Sequence, residues 1–316
     1  MIRICRTILI CRPYDSLLPQ EPACSNKQAR GQIVSINNQS LLYLDGNHCY
    51  ICPPMPDTLK HIAIQAALQA GQAIMKVYRS PVKVISKPDG SPVTQADQDA
   101  NRVIMGHLKS THYPVISEET PQEVFSKRKS WQKVWLVDPL DGTREFLSGS
   151  GEFTVNIALI ENGQPVLGVI YAPVSGKLWS GMKGDGSMQK KAGVSPGSVV
   201  IGVSRSHREP KTQNLIDMIS ERYGGAEIRA VGSSLKFCEM ADGRMNIYPR
   251  CTSIYEWDTA AGHAILRAAG GEVYNLLDHK PLIYNKENLQ NPPFIAFGSP
   301  SDSDQFFSEF PLHVRI

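Results

Sequence analysis

VWLVDPLDGTREF, residues 134–146, is an apolar run that ends in two carboxylates three positions apart. The apolar residues before Asp138 predict a buried strand, so Asp138 and Asp141 fall where that strand ends. Gly142 and Thr143 follow at once and indicate the start of a helix. An acidic cluster at such a junction can cap a helix, carry a covalent phosphate or bind metal ions. The positions of the other acidic residues in the chain decide between these three roles.

The composition is that of an ordinary globular protein and argues against a nucleic-acid-binding or an integral membrane protein. The chain has 316 residues, of which 41% are hydrophobic and 20% are charged, enough for one large core or two domains. Its formal net charge of +3 is too small to indicate a nucleic-acid partner, although it suits a basic pocket for an anionic small molecule. No apolar run reaches the roughly 20 residues of a membrane-spanning helix, so no integral membrane segment is expected.

The first 54 residues differ in composition from the rest of the chain. They hold five of the seven cysteines. No small-residue cleavage site follows their apolar stretch, so an unstructured leader, or a start codon placed too early, is favoured over a targeting segment. Cys49 and Cys52 form a CxxC pair, but no second pair with zinc-ligand spacing accompanies them. Residues 1–54 are therefore predicted to lie outside the folded protein, for which Met55 would serve as a start.

Two helices are predicted next along the chain. Apolar residues at helical spacing predict one over residues 57–78, with Asp57 as its N-cap. Thr94 and Asp97 have the spacing of a capping box, with Thr94 as the N-cap and Asp97 as the third helical residue. Asp97 is thus expected at a helix start, where the helix dipole favours its charge.

The remainder of the chain is predicted to form two different halves. Two apolar runs flank Asn162-Gly163, and this dipeptide between such runs is a strong signal for a β-hairpin. From about Val199 onward, strand and helix patterns alternate. We therefore expect an antiparallel α+β half at residues 55–198, followed by an α/β half at residues 199–316.

Acidic residues stand at structural junctions in four separate segments. They follow predicted strands or open predicted helices, and they are Asp97, Glu118, Glu119, Asp138, Asp141 and Asp258. Each one alone has a structural explanation as a helix cap, a turn former or a solvated loop residue. Together they fit Mg²⁺, which takes oxygen ligands, because a pair of such ions about 3.5–4 Å apart requires several carboxylates.

The number of acids matches a site for two divalent ions. The four acids proposed as ligands are Glu118, Asp138, Asp141 and Asp258. Their four negative charges balance two divalent cations, which leaves Asp97 and Glu119 for water activation or for a third, weaker ion.

The residues around DPLD, Asp138 to Asp141, support the same chemistry. Pro139 stiffens the chain between the acids, and the Leu140 carbonyl can serve as another ligand. Gly142 lets backbone N–H groups approach a phosphate oxygen closely. Thr143, in partnership with Asp97, is expected to complete the deprotonation of an attacking water near neutral pH.

The main alternative is an aspartyl-phosphate mechanism, because DGT also occurs where a nucleophilic aspartate stands two positions before a second acid. Asp138 and Asp141 have the spacing D-x-x-D instead, which moves the first carboxylate off the expected position. The Glu118-Glu119 and Trp257-Asp258 segments also have no role in that mechanism. The metal interpretation is therefore favoured.

Several motifs together resemble a known family. SPVTQAD, PVISEE, WLVDPLDGTREF and WDTAAG look like the signatures of the lithium-sensitive, magnesium-dependent inositol monophosphatase superfamily, in the same order and spacing. Within it, SRSH, GSSLKFC, YPR and WDTAAGHA resemble the CysQ-type 3′(2′),5′-bisphosphate nucleotidases. The similarity runs from about Asp57 to about Pro292 and leaves residues 1–54 outside. It implies a layered αβαβα sandwich.

The resemblance also implies an activity. This is hydrolysis of the 3′-phosphate of adenosine 3′,5′-bisphosphate (PAP) to AMP and phosphate in sulfur assimilation, with the sulfated precursor PAPS as a second substrate. The implied cofactors are two Mg²⁺ ions, or three, and lithium is expected to inhibit. An inositol monophosphatase or a sugar-bisphosphate phosphatase is the alternative within the superfamily. We expect a cytoplasmic location, with peripheral association at the inner face of the cell membrane as an alternative.

The resemblance assigns residues to roles in this reaction. The implied metal ligands are Glu118, Asp138, the Leu140 carbonyl, Asp141 and Asp258. Asp97 and Thr143 would activate the attacking water, and Glu119 would be an outer or third-metal acid. The implied substrate contacts are Gly142, Thr143, His207, Gly232, Ser233, Ser234, Lys236, Arg250 and Asp258. A nucleotide with two phosphates needs cationic and N–H donors at both ends, and these loops supply them.

Overall fold

The computed structural model describes residues 32–36, 40–45, 48–51, 56–78, 85–86, 92–184, 199–205 and 209–309. The chain divides into two compact units, Met1–Cys52 and Pro53–Ile316. An antiparallel sheet in the first unit consists of β1 (Gln32–Ile36), β2 (Ser40–Asp45) and β3 (His48–Ile51). The assignment of residues 1–54 as a leader stays a prediction. The predicted boundary at residue 198 and the predicted phosphate contact His207 lie outside the described residues.

The second unit contains helices on both sides of two large sheets. Its described helices are α1 (Pro56–Val77), α2 (Gln95–Leu108), α3 (Phe125–Arg128), α4 (Thr143–Ser148), α5 (Pro210–Arg222), α6 (Leu235–Ala241), α7 (Ala260–Ala268) and α8 (Pro300–Glu309), with 3₁₀ helices at Lys109–Thr111 and Glu256–Asp258. Its described strands are β4 (Ile85–Ser86), β5 (Pro92–Val93), β6 (Val115–Ser117), β7 (Lys133–Asp141), β8 (Thr154–Glu161), β9 (Gln164–Ala172), β10 (Lys177–Met182), β11 (Val199–Ser204), β12 (Ala226–Val231), β13 (Ile247–Arg250), β14 (Glu272–Asn275) and β15 (Phe294–Phe297).

The first five-stranded sheet has the order β10-β9-β8-β7-β6 and is antiparallel except for the β6–β7 pair. Asn162 and Gly163 adopt positive φ angles of 50° and 76° between β8 and β9, which confirms the predicted hairpin. The second sheet has the order β12-β11-β13-β15-β14. Its first three strands are parallel and its last two pairs are antiparallel, so the second half is a mixed α/β structure.

Three hydrophobic clusters define the layers. Trp135 and Val137 of β7 face α1 and α2, whereas Val134 and Leu136 face α6 and α7, because alternate residues of a strand point to opposite faces. β15 divides in the same way, with Phe294 toward α6 and α7 and its neighbour on the face covered by α5 and α8. The order helices, sheet, helices, sheet, helices is the expected αβαβα sandwich.

Two local details bear on the sequence-based predictions. The prediction of Asp57 as an N-cap is wrong, since α1 begins at Pro56 and Asp57 lies inside its first turn. Proline suits a first helical position because its missing N–H has no partner there in any case. No helix within the described ranges is long and apolar enough to cross a membrane.

Candidate active site

The end of β7 carries the first two carboxylates of the site. β7 pairs with β8 in regular register up to Asp138 and Asn156, and the register then shifts before Asp141 pairs with Thr154. Pro139 lies within this irregularity, where it has no N–H to donate to the ladder. The Leu140 N–H instead donates to Asp138 Oδ1 at 3.0 Å. The irregularity brings two acids three positions apart to the same end of the strand.

A third carboxylate joins them from the other end of the chain. Oxygen atoms of Asp138, Asp141 and Asp258 lie within 4.8 Å of one another. Asp258 closes the 3₁₀ helix Glu256–Asp258, and its Oδ2 accepts a hydrogen bond of 2.9 Å from the Tyr255 N–H. The structure thus brings together acids that the sequence separates widely.

These carboxyl groups repel one another. Burial, and then the charges of Glu118, Asp141 and Asp258, raise the pKa of Asp138 well above its usual value. Burial, followed by the charges of Asp141 and Glu118, also raises the pKa of Asp258. Buried acids of like charge are unfavourable unless a cation or a proton offsets them. The donor set fits Mg²⁺, which takes carboxylate and carbonyl oxygens.

Glu118 and Glu119 follow the short strand β6. The Glu118 N–H donates to the Val137 carbonyl at 3.1 Å, which holds the end of β6 against β7. A side-chain hydrogen bond with Glu118 contributes to the raised pKa of Asp138, so this glutamate belongs to the cluster electrostatically. Glu119 instead interacts with Asp97, and its negative charge contributes to the raised pKa of that residue.

Asp97 serves both as a helix cap and as a neighbour of Thr143. Its Oδ2 accepts hydrogen bonds from the Thr94 N–H at 2.7 Å and from the Thr94 hydroxyl at 2.6 Å, and the capping box of α2 is confirmed. Its Oδ1 accepts from the Thr143 hydroxyl at 3.4 Å. Burial raises the pKa of Asp97 above its usual value, although the bonds from Thr94 oppose this shift. The capping bonds to Oδ2 therefore leave Asp97 Oδ1 to face Thr143, just after the end of β7.

A cavity of about 220 Å³ opens beside the acidic cluster. Its lining residues are Asp141, Gly142, Thr143, Arg144, Glu145, Ser204, Ser233, Ser234, Lys236, Phe237, Tyr248, Arg250, Ile254 and Asp258. Both carboxylates and cations line it, and Ile254 adds an apolar surface. Such a cavity can take a ligand that has both anionic and apolar parts.

The two predicted phosphate-binding cations line this cavity. Lys236 is buried, and its Nζ donates to the carbonyls of Val231 at 3.1 Å and Ser233 at 2.5 Å. Arg250 Nη1 donates to the Tyr248 hydroxyl at 3.4 Å. Arg250 Nε is buried and has no hydrogen-bond partner within the described parts of the chain. An orphaned donor of this kind is costly, so it points to an acceptor that a ligand would bring.

The Gly232–Ser234 segment, here called the serine loop, connects the cations to the acids. The Ser234 hydroxyl is bonded to Asp141 Oδ2 at 2.6 Å and lies 2.9 Å from the Asp258 carbonyl oxygen. Ser233 lines the cavity together with Gly142, whose φ of 92° favours glycine. All the predicted site residues among the described parts of the chain therefore lie around the cluster, its cavity or the segments that hold them.

Sequence reasoning missed several residues that organise the site. Asn156 is buried on β8 and donates to Asp141 Oδ2 at 3.2 Å and to the Ser234 hydroxyl at 2.8 Å. A polar residue within the apolar run FTVNIALI was the available signal. Glu152 and Thr154, just before Asn156 in the chain, were missed because no local pattern distinguishes them from loop residues.

The layered sandwich, with clustered carboxylates beside a cationic cavity, defines the class of metal-dependent phosphatases. The chain belongs to the inositol monophosphatase family, whose sequence model matches residues 55–293. It is 45% identical over 244 residues to the 3′(2′),5′-bisphosphate nucleotidase CysQ of Escherichia coli strain K12, covering 73% of this chain and 96% of that protein. It is 33% identical over 258 residues to the CysQ of Aggregatibacter actinomycetemcomitans, covering 76% and 94%. The crystal structure of CysQ from Bacteroides thetaiotaomicron is similar, with a TM-score of 0.68 and 40% identity over 76% of this chain and 97% of that one.

Proposed function

We propose that this protein is a Mg²⁺-dependent 3′(2′),5′-bisphosphate nucleotidase that hydrolyses the 3′-phosphate of PAP to give AMP and phosphate in sulfur assimilation. The observation that carries this proposal is the direct junction of the Asp138, Asp141 and Asp258 cluster with a cavity containing Lys236 and Arg250. Acids able to hold cations and cations able to hold a second phosphate are both needed for a bisphosphate substrate. The similarity to proteins named as bisphosphate nucleotidases supports the same substrate.

Two Mg²⁺ ions would be held by the carboxylates and by one backbone carbonyl. The proposed ligands are Glu118, Asp138, the Leu140 carbonyl, Asp141 and Asp258. When bound, the ions lower the pKa of water and offset the charge of the transferring phosphoryl group. Glu119 would contribute to a third, weaker ion or to the outer part of the site.

Thr143 and Asp97 would handle the proton of the attacking water. The Thr143 hydroxyl lies 3.4 Å from Asp97 Oδ1 and 3.4 Å from the Leu140 carbonyl, so it stands between the proposed base and the acidic cluster. The raised pKa of Asp97, caused chiefly by burial, suits a group that accepts a proton near neutral pH. The water oxygen then bonds to phosphorus as the bond to the 3′ oxygen breaks, and that oxygen takes up a proton from solvent.

The rest of the nucleotide would occupy the cationic part of the cavity. Gly142 and Thr143 would face the reacting phosphate, whereas Lys236, Arg250 and Ser233 would hold the other one. A guanidinium gives two parallel hydrogen bonds to a phosphate, and Arg250 has an unused Nε for this purpose. His207 is proposed as a further contact on the strength of the sequence motif.

A phosphate-release assay on a substrate panel tests the proposal. Purified protein with Mg²⁺ should show its highest kcat/KM on PAP, with PAPS as a second substrate giving adenosine 5′-phosphosulfate. A preference for an inositol monophosphate or a sugar bisphosphate would favour the alternative within the family. The absence of phosphate release from PAP would overturn the proposal. We place the activity in the cytoplasm, and fractionation with an antibody would separate this from peripheral association with the inner membrane face.

A further inference from the structure

The segment that leads into β8 is bonded to the serine loop residue by residue. Every second residue from Glu152 to Asn156 contacts one residue of the serine loop. The Gly232 N–H donates to Glu152 Oε2 at 2.8 Å, and the Thr154 and Ser233 hydroxyls are 3.0 Å apart. Asn156 Nδ2 donates to the Ser234 hydroxyl at 2.8 Å. Alternate residues of an extended segment share one face. The start of β8, the central strand of the first sheet, therefore fixes the course of the serine loop across the site.

Glu152 is itself held by a bidentate ion pair. Arg205 Nε donates to its Oε2 at 2.7 Å, and Arg205 Nη2 donates to its Oε1 at 2.8 Å. Arg205 Nη2 also donates to the Ala230 carbonyl at 2.9 Å, just before the serine loop. Partial burial raises the pKa of Glu152, but hydrogen bonds from Arg205 and Gly232 leave it below the usual value, so this carboxylate is charged at neutral pH.

The ion pair is too exposed to contribute much to folding. The Arg205 and Glu152 side chains are 48% and 29% exposed, and pairs of this kind typically add little to stability. A bidentate pair nevertheless fixes the relative orientation of the two segments that carry it. The main effect of the Arg205–Glu152 pair is therefore to fix the position of Glu152 relative to the serine loop.

Glu152 packs closely against two segments that face the proposed phosphate subsites, Gly142 and the serine loop, so its position affects both. A β-carbon at Gly232 would lie 2.9 Å from the Glu152 β-carbon and from its carbonyl oxygen. A β-carbon at Gly142 would lie 3.2 Å from the Ser233 β-carbon and 3.3 Å from the Glu152 carbonyl oxygen. Glu152, Gly142 and the serine loop are thus closely packed against one another.

We propose that Glu152 and Arg205 are positioning residues that set the distance between the two phosphate subsites, and with it the preference for nucleotides that carry two phosphates. This inference rests on the proposed function. Loss of the Glu152 charge breaks the bidentate pair, because an amide has only one acceptor oxygen for the donors of Arg205 and Gly232, and the serine loop is then held less firmly at its distance from Gly142. A substrate held at both ends is more sensitive to that distance than one held only at the reacting phosphate.

The test compares Glu152→Gln with Glu239→Gln in the full-length protein. Glu239 forms a bidentate pair with Arg244 at 2.7 and 2.6 Å and has a similar exposure of 25%, but within the described residues it forms no hydrogen bond with the serine loop. The readout is the ratio of kcat/KM for PAP to kcat/KM for 3′-AMP, which carries only the reacting phosphate. We expect this ratio to fall about tenfold in Glu152→Gln and in Arg205→Lys, and to stay within about twofold in Glu239→Gln.

Binding of AMP in the presence of Mg²⁺ separates this inference from the proposed function. AMP carries the nucleoside and the non-reacting phosphate, so its Kd, measured by calorimetry, needs no turnover. Ser233 and Ser234 of the serine loop themselves line the cavity proposed for this phosphate, so the displaced loop should raise the Kd about tenfold in Glu152→Gln even if the preferred substrate of the wild type is not PAP. An unchanged ratio and Kd in Glu152→Gln, an equal change in Glu239→Gln, or a wild type that does not bind AMP would each overturn the inference.

Discussion

The Ser234 hydroxyl donates a hydrogen bond of 2.6 Å to Asp141 Oδ2, which ties the serine loop directly to the acidic cluster. Asn156 donates to the same carboxylate oxygen at 3.2 Å and to Ser234 at 2.8 Å, which closes a triangle of polar groups. A hydroxyl has one proton, and the charged carboxylate is its stronger acceptor. The orientation of a proposed metal ligand thus depends on a loop that also faces the substrate.

We predict that Ser234→Ala weakens the response to Mg²⁺ rather than the fold. Hydrogen-bond partners that orient a metal ligand typically contribute about 10–100-fold to metal affinity or activity. The Mg²⁺ concentration for half-maximal phosphate release should therefore rise by about tenfold. Ser110→Ala is a suitable control, since within the described residues the Ser110 hydroxyl bonds only to the nearby His107 carbonyl at 2.8 Å. An unchanged Mg²⁺ requirement in Ser234→Ala would show that Asp141 does not need this partner.

Asp138→Asn should separate activity from stability. The substitution removes a proposed metal ligand, so turnover should fall by roughly 10³-fold. It also removes a buried carboxylate whose pKa is raised by burial and by the charges of Glu118, Asp141 and Asp258. We expect the metal-free variant to have a higher Tm than the wild type at pH 8, by about 2–4 °C per kcal/mol of repulsion relieved.

Calorimetry in EDTA and in Mg²⁺ checks the Asp138→Asn prediction. Mg²⁺ should raise the Tm of the wild type much more than that of the variant. Asp217→Asn is the control: on α5, the Asp217 side chain accepts a hydrogen bond from the Gln213 side chain at 2.8 Å. This substitution should change neither turnover nor the rise in Tm with Mg²⁺. Retained turnover in Asp138→Asn would argue against the metal assignment.

Thr143→Val is predicted to lower kcat while the Mg²⁺ requirement stays the same. Valine has the shape of threonine but cannot pass a proton toward Asp97, whose Oδ1 lies 3.4 Å from the hydroxyl. Loss of a proton-transfer group costs about 10²–10⁴-fold in rate. Thr143→Ser keeps the hydroxyl and should recover most of the activity. Equal activities of the Val and Ser variants would remove Thr143 from the proposed mechanism.

The parts of the fold that the sequence predicted correctly have local causes. The Thr94–Asp97 capping box and the Asn162-Gly163 hairpin each depend on residues no more than three positions apart, so their patterns are visible in the chain. The family resemblance then supplied the layered architecture, which periodicity alone did not give. The error at Asp57 is also local, because Pro56 and Asp57 compete for the same few positions of a helix start.

The parts of the site that were missed depend on contacts distant in sequence. Asn156 and Ser234 are 78 positions apart, and Glu152 and Gly232 are 80 positions apart. The polar Asn156 within an apolar run indicates a buried amide but not its partners, and Glu152 carries no local signal, since a carboxylate in a loop is compatible with solvent. Only the packing of β8 against the serine loop shows that they organise the phosphate-facing surfaces.

The buried His263 should make folding stability depend on pH. Its ring nitrogens are bonded to the Tyr284 hydroxyl at 2.8 Å and to Glu272, which Arg267 also contacts. Burial lowers the pKa of His263 below 6.5, although the hydrogen bond and charge of Glu272 oppose this. The unfolded chain then binds more protons than the folded one, so stability is retained above about pH 6.5 and lost as the pH falls below it.

Urea unfolding between pH 7.5 and 5.5 tests the contribution of His263. One such histidine accounts for at most about 1.4 kcal/mol per pH unit, and this part of the slope should disappear in His263→Gln. The exposed His61 is the control, and His61→Gln should retain the wild-type slope. The same pH dependence in both variants would assign the loss of stability to other groups.

Arg250 should contribute affinity for the nucleotide. Its Nε is buried without a partner in the described residues, a cost that a phosphate oxygen would remove. Arg250→Lys loses the planar fork, so kcat/KM for PAP should fall about 10–100-fold. Arg250→Met keeps the length but not the donors, and it should abolish the stabilisation by AMP. Arg229→Lys, which changes an arginine paired with Glu227 at 3.1 and 2.6 Å, should leave both measurements unaltered. Full stabilisation by AMP in Arg250→Met would mean that the guanidinium is not a phosphate contact.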